Sequence, residues 1–175
     1  MARTRNMKVD DQSGIVVATG VRSETYGGPD GYKTVLTINS AFPAIAGGAA
    51  LGVGKLLMTL PSVESIISGS SINVAVKETQ GNVTADTPDI GIGTTIASGV
   101  ISVLGGTAAF ENILTGQTAA DCDGTATVET VTTALALTTG GVAKTIYLNI
   151  ADGWAASGDA AAVISGTVTI WWRPV

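Results

Sequence analysis

The stretch from Lys144 to Val175 narrows the possible folds of this chain more than any other. Two runs, TIYLNI and GTVTIWWRP, alternate apolar and polar residues and flank the small-residue stretch ADGWAASGDAAAVIS. Side chains alternate between faces along a strand, so Val168, Ile170 and Trp172 share one face while Thr167, Thr169, Trp171 and Arg173 share the other. Together the two runs read as a hairpin that closes a β domain. Adjacent tryptophans on a strand point opposite ways. Trp172 is therefore expected in the core, and Trp171 on a face otherwise built from threonine and arginine. A large ring on such a face needs an explanation: a covering loop of the same chain, a subunit or partner interface, or a platform for a sugar.

The same period of two recurs upstream. YKTVLTI places Tyr32, Thr34, Leu36 and Ile38 on one face, KLLMTLP reads as a second strand, and SINVAVKE sets Ile72, Val74 and Val76 against Asn73, Ala75 and Lys77. IGIGTTIAS and GVISVLGG read as short strands, with a helical turn at Phe110 to Leu114. ATVETVTTALALTT is the longest periodic run, with Val131, Leu135 and Leu137 bulkier than Ala134 and Ala136 opposite. Helical patterning is poor, since AFPAIAGGAALG is interrupted by Gly47, Gly48, Gly52 and Gly54, each costing about 1 kcal/mol inside a helix.

Short strands separated by glycine-rich turns, in 175 residues of which 45% are hydrophobic and 13% charged, predict one all-β domain, a β-sandwich or jelly-roll-like fold. Residues 1–31 hold one short apolar run, GIVVATGV, and end in the turn-forming YGGPDGY. The expected division is an extended N-terminal arm over 1–31 and a β-sandwich domain over 32–175.

The chemistry available to this chain is narrow. It has no histidine, which removes the commonest general base and metal ligand together with Ser-His and Cys-His nucleophiles. Cys122 cannot form an internal disulfide and lies between Asp121 and Asp123, whose charge disfavours the thiolate, so it reads as an inert thiol in a turn. GGAALGVGKL ends in Gly54-Lys55 like a phosphate loop, but Ala49 stands where the first glycine belongs and Leu56 replaces the hydroxyl residue that would hold magnesium. GIGTTI has Ile96 in place of the third glycine of a dinucleotide fingerprint. The aspartate pairs Asp86/Asp89, Asp121/Asp123 and Asp152/Asp159 lack EF-hand spacing and sit beside turn residues, so they read as turn formers rather than an ion site. A glycosidase carboxylate pair has little support where aromatic residues make up only 5% of the chain. The expectation is a protein with no catalytic residues, no cofactor and no metal.

Charge is unevenly distributed. Arg3, Arg5 and Lys8 make the beginning basic, whereas from Glu78 onward Lys144 and Arg173 are the only cations, and the net charge is -5. A basic arm before an acidic body fits a negatively charged protein surface and argues against direct nucleic-acid binding. Met1 to Asp11 lacks the apolar stretch of a signal peptide, and the long uncharged segments 35–54 and 90–110 are too broken by small and polar residues for a membrane span.

Three segments, NVTADTPDIGIGTTIASG, FENILTGQTAADCDGTATV and TIYLNIADGWAASGDAAAVISGTVTIWW, resemble a family of small virion structural proteins of tailed bacteriophages, particularly marine ones. The similarity runs from about Tyr32 to the C-terminus. It implies a β-rich, non-enzymatic protein on the outer capsid surface, a decoration or cement protein that sits as a homo-oligomer, with a trimer favoured, and clamps neighbouring subunits of the major capsid protein. In that setting Arg3, Arg5 and Lys8 are the candidate capsid contacts, and Trp171 with Arg173 the candidate interface residues. The alternative is a receptor- or glycan-binding fibre or tail-tip module, for which Trp154 and Trp171 would be the platforms.

Overall fold

The computed structural model describes residues 15–28, 31–41, 52–78, 87–99, 104–105, 108–119, 121–131, 137–138, 140–151 and 162–175. The described chain forms two antiparallel sheets facing each other across one apolar core, a β-sandwich. In chain order its strands are β1 (Val16–Val17), β2 (Val21–Gly28), β3 (Gly31–Ala41), β4 (Gly52–Leu60), β5 (Ser65–Glu78), β6 (Asp89–Gly93), β7 (Ser98–Gly99), β8 (Leu114–Thr118), β9 (Asp123–Val131), β10 (Leu137–Thr138), β11 (Lys144–Ala151) and β12 (Ala162–Pro174). The first sheet runs β10-β5-β12-β3-β2, with β9 also on β5; the second runs β1-β4-β11-β6-β8, with β7 also on β4.

The closing runs are not a hairpin. TIYLNI is the core of β11, which lies between β4 and β6 in the second sheet, whereas β12 lies between β3 and β5 in the first. The alternation correctly assigns a buried face to each run, yet it does not choose a neighbour. Two strands with one apolar face each satisfy it equally well edge to edge or face to face across a core. Here Ile146, Leu148 and Ile150 come from one sheet and Val168, Ile170 and Trp172 from the other, all at most 1% exposed.

The expected faces of the YKTVLTI and SINVAVKE strands hold, except that Ala75 is buried as well; the expected faces of Val131, Ala134, Leu135, Ala136 and Leu137 lie outside the described residues and side chains. Leu36, Ile38, Ile72, Val74 and Val76 join the core, and Lys33, Thr37, Asn39, Asn73 and Lys77 point outward and are exposed. β4 is longer than the KLLMTLP run: Gly52 to Gly54 are also strand residues, paired with β7 and β11. A bulge lets β4 bury both Leu57 and Met58, because Ile146 pairs with Met58 and Tyr147 with Leu56, leaving Leu57 as the extra residue. The helical turn falls earlier than expected, as a short 3-10 turn at Ala108–Phe110, and Leu114 already belongs to β8.

The expected 1–31 arm also needs correction. β1 pairs with β4, and β2 pairs with β3 along its whole length, so the sandwich includes Ile15 to Gly28. VRSETYGG carries little apolar signal because one of its inward positions is Thr25, fully buried and hydrogen-bonded through its hydroxyl to Thr34 at 3.1 Å. A strand that buries a hydroxyl against another hydroxyl is hidden from hydrophobic periodicity. Arg3, Arg5 and Lys8 lie outside the described residues.

Candidate interaction face

The two adjacent tryptophans organise one end of the first sheet. Trp172 is 1% exposed, stacks on Tyr32 with ring centroids 4.5 Å apart at 27°, and donates its indole N–H to the Thr34 hydroxyl at 3.0 Å. The Thr34 hydroxyl in turn meets that of Thr25. A buried polar line therefore ties β12 to β3 and β3 to β2, satisfying the indole N–H that burial would otherwise strand.

That anchor fixes the strand pairing, and the pairing builds the outer face. Tyr26 pairs with Lys33, Lys33 with Trp171, and Trp171 with Gly69, one row across four strands. Trp171 is half-buried and Arg173, two residues on along the same face, is exposed. The Lys33 ammonium lies 5.9 Å from the centre of the Trp171 ring, a cation–π contact worth about 0.5–1 kcal/mol at an exposed site. Opposite Trp171, β5 carries a bulge in which Ser68 is the extra residue, and its hydroxyl donates to the Trp171 carbonyl at 3.3 Å. Bulges re-aim side chains at sheet ends. The result is a groove of about 340 Å³ lined by Tyr26, Gly27, Gly31, Lys33, Trp171 and Arg173. The Tyr26 hydroxyl donates to Glu24 at 2.6 Å, so the carboxylate diagonal to Lys33 already has a partner.

The second sheet treats its outer face differently. Asn149 lies on β11 but is fully buried; its side-chain amide donates to the carbonyls of Thr95 (2.9 Å) and Phe110 (2.7 Å), and its carbonyl accepts the Ala97 N–H (2.8 Å). Asn112 accepts the Thr94 N–H at 3.0 Å, and Ala97, Leu104, Phe110 and Ala151 close into a small second core. The described residues between β6 and β8 thus fold over their own sheet. The glycines of GIG and GVG make room for it: a Cβ on Gly93 would stand 2.2 Å from the Ala109 carbonyl oxygen, and one on Gly54 2.6 Å from the Ile96 side chain. Those glycines, tested above as nucleotide-binding motifs, are instead clearance for a covering segment, and Gly54 and Lys55 lie inside strand β4.

Asp121 and Asp123 behave as turn formers, whereas Asp89, expected in a turn, is a strand residue at the start of β6. Asp121 accepts the Asp123 N–H at 3.1 Å, and Asp123 accepts both the N–H (2.8 Å) and the hydroxyl (2.7 Å) of Thr125. The side-chain hydrogen bond between the two carboxyls raises the pKa of Asp121 and lowers that of Asp123, whose carboxylate Thr125 and the Lys77 charge further favour. Asp89 accepts the Thr118 hydroxyl at 2.7 Å. Asp86, Asp152, Asp159 and Trp154 lie outside the described residues. Cys122, expected in a turn, sits at a bend but is fully buried in the main core.

Of the residues singled out from sequence, Trp171 and Arg173 are brought together on one outer face. Lys33 and Tyr26 complete their row, and sequence reasoning missed both, because only the β2-β3-β12 register places them beside Trp171. Comparison with known proteins returned no matching protein family, curated protein or solved structure.

Proposed function

We propose that this protein is a non-enzymatic structural component of a phage virion, a decoration or cement protein that binds the outer head surface and stabilises contacts between major capsid protein subunits. The observation that carries the reading is the half-buried Trp171, with the Lys33 ammonium over its ring and Arg173 two residues on, on an outer sheet face whose other residues include exposed Thr37, Asn39 and Ser165. Tryptophan and arginine are the side chains most often found at the energetic centres of protein interfaces. The resemblance of the three segments to virion structural proteins supplies the setting, and the opposite face, roofed by the chain itself, is left for structure rather than docking. The basic residues Arg3, Arg5 and Lys8 would add contacts to an acidic capsid surface, and a homo-oligomer, with a trimer favoured, would multiply them by avidity.

The test is cosedimentation of the purified protein with bare heads, followed by an averaged density map of the decorated particle. Saturable binding and repeated density over the head are expected. No binding to heads, or density confined to the tail, overturns the proposal. The glycan-binding alternative draws on the same Trp171 ring, although an ammonium lies over that ring where a sugar would stack.

A further inference from the structure

We infer that the groove beside Trp171 is a receptor for carboxylate side chains of an acidic peptide segment on the partner protein. This rests on the reading of the outer face as a docking surface and specifies its chemistry. Two cations, Lys33 and Arg173, flank one half-buried indole in a chain whose net charge is -5. Among the described residues no ion pair engages either cation. Glu24, two residues from Tyr26 on the same face of β2, is held by the Tyr26 hydroxyl at 2.6 Å, and Glu64 lies exposed at the start of the register that pairs Ile66 with Arg173. Neither cation is ion-paired among the described residues, so a ligand carboxylate can complement the pair.

The shape of the groove agrees. Gly27 and Gly31 line it without side chains, so the groove beside Trp171 is walled there by backbone. Arg173 presents a planar fork suited to bidentate hydrogen bonding of a carboxylate, and Lys33 adds a compact charge beside it. Trp171 supplies apolar area for the aliphatic stem of a glutamate. An acidic sugar shares the carboxylate but would stack on the ring, one face of which carries the Lys33 ammonium at 5.9 Å. That contact favours the peptide.

The experiment is a calorimetric titration of the whole protein with capped hexaglutamate, with hexaglutamine and with an oligoglucuronate, at low and at physiological salt. Hexaglutamate is expected to bind about tenfold or more tightly than hexaglutamine, and the difference should shrink as salt rises. Arg173→Gln and Lys33→Gln, both at exposed positions, should each weaken hexaglutamate several-fold; Arg173→Gln should leave the unfolding midpoint unchanged, and Lys33→Gln should lower it only slightly through the lost contact with the Trp171 ring. Trp171→Phe should bind more weakly than the parent but keep the salt dependence. Equal binding of hexaglutamate and hexaglutamine, or indifference to both cation substitutions, overturns the inference. Preference for oligoglucuronate over the peptide overturns it too, in favour of a saccharide ligand. The two readings fail separately: heads bound normally by Arg173→Gln would sink this inference alone, while parent protein that binds hexaglutamate but not heads would sink the capsid role alone.

Discussion

The outer faces of the two sheets solve the same problem in opposite ways. On the second sheet the chain covers itself: glycines thin the strands, Asn149 pins the covering segment with three hydrogen bonds, and Leu104 and Phe110 seal it. On the first sheet polar side chains stand outward and a tryptophan with two cations marks one end. A face that the chain roofs is bound to the stability of the fold, whereas an open face can be changed with little cost to folding. The difference teaches where to look for function, since substitutions on the two faces should separate stability from binding.

The largest effect is expected at Gly93. A methyl group there collides with the backbone at Ala109 and Phe110, which cannot move aside like a flexible side chain, so Gly93→Ala should destabilise by about 3 kcal/mol or more in denaturant melts. A mild effect would mean that the cover is loosely seated. Next is Asn149→Ala, which strands the Ala97 N–H and the Thr95 and Phe110 carbonyls; about 2–3 kcal/mol is expected, with faster amide exchange over residues 94–99 and 108–113. Protection unchanged in those segments would remove Asn149 from the role of pin.

On the first sheet the effects on stability are smaller. Thr34→Val keeps the shape of the core but takes the acceptor from the Trp172 indole, for an expected loss of about 1–2 kcal/mol and a shift in tryptophan emission. Trp171→Ala should cost about 1 kcal/mol or less while reducing head binding about tenfold or more. If stability and binding fell together, the open face would be no more dispensable to the fold than the covered one.

The Asp121/Asp123 turn should show the smallest effect. Asp123, with its pKa lowered, adds stability above its ordinary range that disappears as pH falls through its folded value. Asp121, with its pKa raised, adds stability at low pH that disappears as pH rises through its folded value. The two trends oppose each other. Asp121→Asn/Asp123→Asn together should leave the pH dependence of the unfolding midpoint nearly unchanged between about pH 3 and about pH 6, and carboxyl NMR should show Asp121 taking up its proton first. A steep difference between variant and parent would show that the turn is coupled to something beyond itself.

Much of the sandwich is legible before folding. Leu36, Ile38, Ile72, Val74, Val76, Val168, Ile170 and Trp172 are all assigned to their buried faces by alternation alone, and Trp171 with Arg173 to the outer one. What fails to show has a physical reason in each case. β2 escapes notice because its buried Thr25 is satisfied by another hydroxyl, leaving a polar-looking strand. Asn149 looks like an ordinary polar member of TIYLNI, although burial and three hydrogen bonds make it a structural pin. The glycines of GIG and GVG look like punctuation or ligand loops until the segment that needs their space lies above them.

The sequence by itself determined that this chain makes strands, which residues of each strand turn inward, and that Trp171 and Trp172 must part company, because a period of two is a local property of the backbone. It also removed histidine chemistry outright. Only the tertiary structure decided that β11 and β12 belong to opposite sheets, that one outer face is roofed while the other, among the described residues, is left open, and that Lys33 of β3 comes to lie over Trp171. Those outcomes depend on pairing between distant segments, and strand pairing is made by backbone hydrogen bonds that every residue but proline can offer, so the sequence constrains the faces far more tightly than the neighbours.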